Sequence, residues 1–293
     1  MGPGSSDDDL DSRSQRTLFR RRRIPVRALL PNLFTLLSLC AGLTAIRMAI
    51  EFKYEAALLL IVAAALIDGI DGRLARALKV QSRFGAELDS LADTVNFGVA
   101  PALILYIWGF GNLQAFGWVA AMVFACCMGL RLARFNAALD TEKPKWMSNY
   151  FTGIPAPAGA MAVLLPLYLN GTGLIRVTDY PALIAIYTLA IAFLLVSTIP
   201  TWSGKLLGER VSRDFVLPIF AGVALVLGLL WSYPYQTASV LTLGYLALVP
   251  FSYRRFREKL SRDAAVGSSM PPAGYDDQPR STPLAVPPGE TKH

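Results

Sequence analysis

Four aspartates stand at a spacing suited to chemistry: Asp68 and Asp71 three residues apart, Asp89 and Asp93 four apart. Residues three or four apart share one face of a helix, so each pair presents two carboxylates side by side. Both pairs border strongly apolar sequence, where an ionised carboxylate without a partner is costly. Arg73, Arg76 and Arg83 are near in sequence, but they fall at a helix end and in a short loop where water can solvate them. Divalent cations are the better match. Hard oxygen ligands converging from two helices suit Mg²⁺ or Mn²⁺, and four carboxylates can hold two ions. An EF-hand does not fit, because Gly72 directly follows the second aspartate and the twelve-residue ligand spacing is missing. The plain alternative is a solvated acidic helix end with ordinary salt bridges.

Small and polar residues fill the interval between the pairs: Gly72, Ala75, Arg76, Ser82 and Gly85. Glycine and alanine let a ligand approach helix backbones closely, and they equally let membrane helices pack; spacing alone does not choose between the two. Ser82 sits in the connecting loop with a hydroxyl able to reach a ligand. Upstream, Pro31-Asn32-Leu33-Phe34-Thr35 reads as a helix start. Downstream, Arg131 and Arg134 share a face, able to bind a carboxylate or phosphate or to snorkel to lipid headgroups. The single histidine is His293, the last residue, which excludes histidine chemistry inside the membrane and the two-histidine phospholipase-D-like route. Cys40, Cys126 and Cys127 lie in apolar segments without metal spacing and imply no disulfide framework.

The elements that must position these groups are membrane helices. The 293 residues are 54% hydrophobic and only 17% charged, against about a quarter in globular domains, and mean hydropathy is +0.43. About 20 apolar residues cross a bilayer. Eight segments qualify, near 29–50, 56–77, 88–109, 115–139, 154–170, 181–198, 214–232 and 236–253. Basic residues cluster after the even-numbered ones: Arg73, Arg76, Lys79 and Arg83; Arg131, Arg134, Lys143 and Lys145; Lys205, Arg210 and Arg213; then Arg254, Arg255, Arg257 and Lys259. The other connections hold little beyond Lys53 and Arg176. The positive-inside rule then gives an all-α polytopic bundle of about eight transmembrane helices, with both termini and the aspartates toward the cytoplasm. The net charge of +7 is therefore membrane topology rather than a nucleic-acid footprint. Residues 1–27 read as a polar, basic cytoplasmic segment, with an acidic run at 7–9 and a headgroup-facing basic run at 20–23. Its first residues resemble a tag or tail more than a myristoylation site. The Pro-, Gly-, Ser- and Asp-rich end reads as a disordered tail over 256–293.

The pattern Asp68-x2-Asp71-Gly72-x2-Ala75-Arg76-x8-Gly85-x3-Asp89-x3-Asp93 resembles the signature of the CDP-alcohol phosphotransferase family at all eight of its fixed positions. That resemblance implies a core of six helices over 28–198, with two additional helices over 199–255. It implies metal-dependent transfer of the phosphatidyl group of CDP-diacylglycerol to an alcohol, with release of CMP, at the inner (cytoplasmic) membrane. Asp68, Asp71, Asp89 and Asp93 would hold Mg²⁺ or Mn²⁺, two ions in all, and Asp93 would also serve as the base. Asn32, Thr35, Gly72, Ala75, Arg76, Ser82 and Gly85 would bind CDP-diacylglycerol. Three further blocks, at 94–102, 129–136 and 151–159, resemble the members of that family that use L-serine, so the likeness spans roughly 29–200. On that likeness Arg131 and Arg134 would bind the acceptor, and Pro155-Ala156-Pro157 would shape its pocket. Asn96 departs from it, standing where a serine is expected. Glycerol 3-phosphate, inositol phosphate or choline are the other acceptors open to such a site, although a phosphorylated acceptor calls for a denser basic pocket. A homodimer is the expected assembly. The competing classes are a divalent-cation transporter, whose sites lie nearer the membrane midplane, and a scaffold indifferent to loss of the aspartates.

Overall fold

Helix forms at each apolar segment, because a backbone in lipid must satisfy its hydrogen bonds within the segment. The computed structural model describes residues 29–78, 80, 82–110, 113, 115–137, 150–197, 200–202 and 213–269; at 150–152, 200–202, 213–216 and 252–269 it describes backbone alone. The polar start, Lys79, Lys143, Lys145, Lys205, Arg210 and the stretch from 270 onward lie outside the described residues.

The helices in chain order are α1 (Leu29–Ile50), α2 (Tyr54–Leu78), α3 (Arg83–Gly109), α4 (Ala115–Ala137), α5 (Ala156–Val163), α6 (Leu165–Gly171), α7 (Pro181–Val196), α8 (Arg213–Ser232) and α9 (Pro234–Ser269). Among the described residues the eight apolar segments thus become nine α-helices, since Leu164 and Pro166 interrupt the fifth between α5 and α6. Pro155 caps α5 and Pro157 lies in its first turn, where proline's missing N–H costs nothing. Among the described residues α1, α3 and α4 are long and apolar enough to cross a membrane, and Pro181–Val196 and Leu217–Ser232 are shorter apolar helices. Helix α2, of similar length, carries Glu55, Asp68, Asp71, Arg73 and Arg76. Leucines such as Leu33, Leu37, Leu43, Leu130 and Leu183 are exposed around the outside. A contiguous apolar exterior is what lipid requires, and the architecture is that of a helical membrane protein.

Among the described residues the addition to an all-α plan is one short strand pair. Strand β1 (Tyr150–Thr152) pairs antiparallel with β2 (Pro200–Trp202), Phe151 opposite Thr201. The structure also departs from the expected tail: α9 continues to Ser269, because 254–265 is rich in Arg, Lys, Glu, Leu and Ala, all good helix formers. Residues 256–269 are therefore helical.

Helices α1 and α2 form an antiparallel hairpin with a three-residue turn. The inner face of α1 is a line of small residues, Pro31, Thr35, Ser38, Gly42, Ala45 and Ala49, so that α2 and α3 approach it closely. Helix α4 packs on α7 and on α3, and α9 covers α5 and α6. The up-and-down order brings the start of α1, the end of α2, the start of α3 and the end of α4 to one end of the bundle, where the predicted site residues lie.

Candidate functional site

The aspartates converge. Asp68, Asp71 and Asp89 each offer a carboxylate oxygen within 4.8 Å of the others. Asp68 is the hub, within hydrogen-bonding reach of both Asp89 and Asp93. Helix periodicity carries Asp68 and Asp71 on α2, and Asp89 and Asp93 on α3, to facing sides of the two helices. Asp71 is almost fully buried and accepts a hydrogen bond from Thr35 Oγ1 at 2.8 Å. Asp93 lies deepest along α3, and its Oδ1 is buried with no hydrogen-bond partner.

Among the described residues no arginine forms an ion pair with the cluster. The ion pairs found among the described residues, Arg47–Glu51 and Lys53–Glu51, lie at the opposite end of α1. Four carboxylates brought together without a cation repel strongly at low dielectric, and an all-oxygen donor set is the chemistry of Mg²⁺ and Mn²⁺. The triad of Asp68, Asp71 and Asp89 fits a metal ion on both counts.

Beside the triad is a cavity of about 500 Å³. Its walls include Asn32 and Thr35 from α1, Asp71, Gly72, Ala75 and Arg76 from α2, and Ser82, Gly85 and Asp89 from α3. All seven residues expected around the nucleotide thus line one space with two of the aspartates. Gly72 faces the opening, since a Cβ built there meets nothing within 4 Å. Gly85 differs: its Cβ would come 2.9 Å from Asn32 Oδ1 and 3.1 Å from Ser82 Oγ, so it serves helix packing as well as the wall. Arg76 is exposed, and its Nε donates to the carbonyl of Gly72 at 3.0 Å, leaving the end of the guanidinium toward the cavity rim.

Two expected site elements make further contacts. The hydroxyl of Ser82 is not unengaged: Ser82 caps α3, its Oγ accepting from the Gly85 N–H at 3.0 Å, which leaves the hydroxyl proton for a ligand. Arg131 and Arg134 make different contacts. Arg134 Nη1 donates to Val196 O at 2.6 Å and Nη2 to Ser197 O at 3.2 Å, closing the C-terminal end of α7. Arg131 is nearly buried, donates through Nε to the carbonyl of Ile154, and acts electrostatically on Asp93. Neither lines the 500 Å³ cavity.

Sequence reasoning missed Pro31, Ala86 and Phe135 in the cavity wall. Ala86 was open to discovery, three residues before Asp89 on the same face; Phe135 was not, because nothing local in α4 indicates which side faces α2. Also missed was Ser38, one turn after Thr35, to which Asn96 Nδ2 donates at 2.8 Å.

Comparison with known proteins shows the family. The family model described as CDP-alcohol phosphatidyltransferase matches residues 28–200, and one described as CDP-alcohol phosphatidyltransferase 2 matches 214–250. Among curated proteins, the CDP-diacylglycerol--serine O-phosphatidyltransferase of Mycobacterium leprae (strain TN) is 42% identical over 242 residues, covering 81% of this chain and 79% of the relative. The protein of the same name from Mycobacterium tuberculosis (strain ATCC 25618 / H37Rv) is 38% identical over 265 residues, 89% of this chain and 87% of the relative. That from Helicobacter pylori (strain J99 / ATCC 700824) is 42% identical over 142 residues, 48% of this chain and 58% of the relative.

Proposed function

The chain belongs to the CDP-alcohol phosphatidyltransferase family, and from that premise we propose that it transfers the phosphatidyl group of CDP-diacylglycerol to the hydroxyl of L-serine, giving phosphatidylserine and CMP. The observation that carries the reading is the meeting of all four aspartates beside a cavity walled by the small and polar residues between them. A volume of about 500 Å³ falls within the range of roughly 300–1,000 Å³ usual for small-molecule sites. The relatives' names support serine as acceptor.

Asp68, Asp71 and Asp89 would hold divalent metal, with Asp93 contributing to a second ion. Metal held there would supply positive charge to the diphosphate and to the departing phosphate. Asn32, Thr35, Ser82 and Arg76 orient the nucleotide, and Gly72, Ala75 and Gly85 give it room against the helix backbones. Asp93 takes the proton of the serine hydroxyl. The hydroxyl oxygen bonds to the phosphorus bearing diacylglycerol, the bond from that phosphorus to the bridging oxygen breaks, and CMP leaves with the electron pair. With no histidine among the described residues, a carboxylate is the base at hand. Arg131, beside Asp93, receives the serine carboxylate, while Arg134 holds the end of α7 in place. The topology that goes with this is eight spans, both termini cytoplasmic and the cavity open to the cytoplasm, where nucleotide lipid and water-soluble amino acid both arrive.

The direct test is release of CMP from CDP-diacylglycerol by the purified protein with L-serine, glycerol 3-phosphate, inositol phosphate, choline or water as acceptor. Serine is expected to give far the fastest release, and a rate with serine no greater than with water overturns the assignment. A second expectation follows from Gly72. Gly72→Leu sends a side chain into the cavity and meets no protein atom at its Cβ. It should raise the KM for CDP-diacylglycerol about tenfold or more, a loss of 1.4 kcal/mol or greater. Thermal stability should not fall, since leucine favours helix over glycine by up to about 1 kcal/mol. Initial rates across lipid concentration and a melting curve check both halves.

A further inference from the structure

We propose that Asn96 is a positioning residue for Asp93, acting through a polar link one turn beneath the carboxylates; this rests on the reading of Asp93 as the base. Asn96 is fully buried. Its Nδ2 donates to Ser38 Oγ at 2.8 Å, and Ser38 Oγ donates to the backbone oxygen of Ala64 at 3.0 Å. This chain of bonds ties α3 to α1 and α1 to α2. Each member sits one turn from a site residue on its own helix. Ser38 is three residues after Thr35, the donor to Asp71; Ala64 is four before Asp68; Asn96 is three after Asp93. The link thus sets the register in which three helices bring four carboxylates to one place.

Three features separate it from ordinary packing. First, α3 makes a π-helical turn over Thr94–Val99, starting at the residue after Asp93. Such turns are rare and concentrate at functional sites. The extra residue changes which side chains follow Asp93 to the inner face, and Asn96, Phe97 and Gly98 are the buried ones. Second, α1 gives up a side chain for Asn96 to enter: a Cβ on Gly42 would lie 2.1 Å from Asn96 Oδ1. Third, Oδ1 is itself buried without a hydrogen-bond partner. A half-satisfied amide in an apolar core costs stability that a leucine of similar size would not. The return is sought in function: the buried Oδ1 of Asp93 also lacks a hydrogen-bond partner, so beyond the contact with Asp68 the direction of that carboxylate depends on the helix turn that carries it, and Asn96 anchors that turn.

The test is a double-mutant cycle on purified full-length protein, reading kcat and KM by release of radiolabelled CMP and Mn²⁺ affinity by electron paramagnetic resonance. Asn96→Ala and Ser38→Ala should each lower kcat roughly 10–100-fold, the range for residues that orient a catalytic group. KM for CDP-diacylglycerol should stay within about twofold and Mn²⁺ affinity within about threefold, since the triad is untouched. In an Asp93→Asn background, Asn96→Ala should have no further effect on kcat, because the group it positions is gone. Should Asn96→Ala not fold, Gly42→Ala displaces the amide by its methyl and enters the same cycle. The proposal is overturned if Asn96→Ala lowers kcat equally with and without Asp93, if kcat is unchanged, or if the change lies in KM alone. Those outcomes leave the transferase reading standing, whereas failure of the unaltered protein to release CMP overturns that reading and this proposal with it.

Discussion

Exchanging Asp93 for asparagine is expected to lower kcat for CMP release by about 10²–10⁴-fold, the contribution typical of a general base, with Mn²⁺ binding at the triad of Asp68, Asp71 and Asp89 little changed. The substitution keeps the shape of the side chain and removes its ability to accept a proton. The distinction from the other three aspartates is geometric. Asp68, Asp71 and Asp89 share one point, while Asp93 joins the group only through Asp68 and stands deeper in the bundle. Arg131 is the cation that acts on it, so an amino-acid acceptor held by its carboxylate there would bring its hydroxyl to Asp93. A serine hydroxyl at neutral pH is a poor nucleophile without such a partner. The measurement pairs initial rates over serine concentration with an Mn²⁺ titration. If Mn²⁺ binding collapses along with the rate, Asp93 is first a ligand. If kcat survives, the base lies elsewhere.

What could be read beforehand follows from the range of each interaction. Helix positions came from hydropathy, a local quantity, and the facing of the two aspartate pairs came from a period of three to four residues. The residues that line the cavity are legible for the same reason: they sit near an aspartate in sequence or, for Asn32 and Thr35, on a helix whose start is marked by Pro31. What was not legible depends on contacts far apart in the chain. Arg134 shares a face with Arg131, and the sequence suggests a joint ligand site; only the fold shows its guanidinium committed to carbonyls 62 and 63 residues away. Asn96 stood out as a departure, but its partner Ser38 is 58 residues distant. From sequence Ser82 reads as a loop hydroxyl, because its capping role depends on where α3 begins, the least certain feature of any sequence-based helix assignment.

Replacing Asp68 by asparagine, or stripping divalent ions with a chelator, is expected to have the largest effect of all, taking CMP release to the background rate. Asp68 belongs to the triad and reaches both Asp89 and Asp93, so no other single change disturbs as much of the cluster. Metal-borne charge at a phosphoryl centre is worth several kcal/mol, and about 4 kcal/mol corresponds to about 10³ in rate. Added Mg²⁺ or Mn²⁺ should restore the stripped protein but not Asp68→Asn. Stability should respond with opposite signs in the two cases. In the unaltered protein, metal relieves the repulsion among four carboxylates and stabilises the fold by about 2.7 kcal/mol at a hundred times Kd, so the melting temperature rises on adding Mn²⁺. In Asp68→Asn the metal-free protein has already lost one of the mutually repelling charges. It should therefore melt higher than the metal-free unaltered protein and show little further rise with Mn²⁺. An acidic cluster kept only for packing or solubility would show neither the metal-induced rise nor its loss, and a metal-free Asp68→Asn that melts lower than the unaltered protein would mean that Asp68 is held by a structural partner instead of repelled by its neighbours.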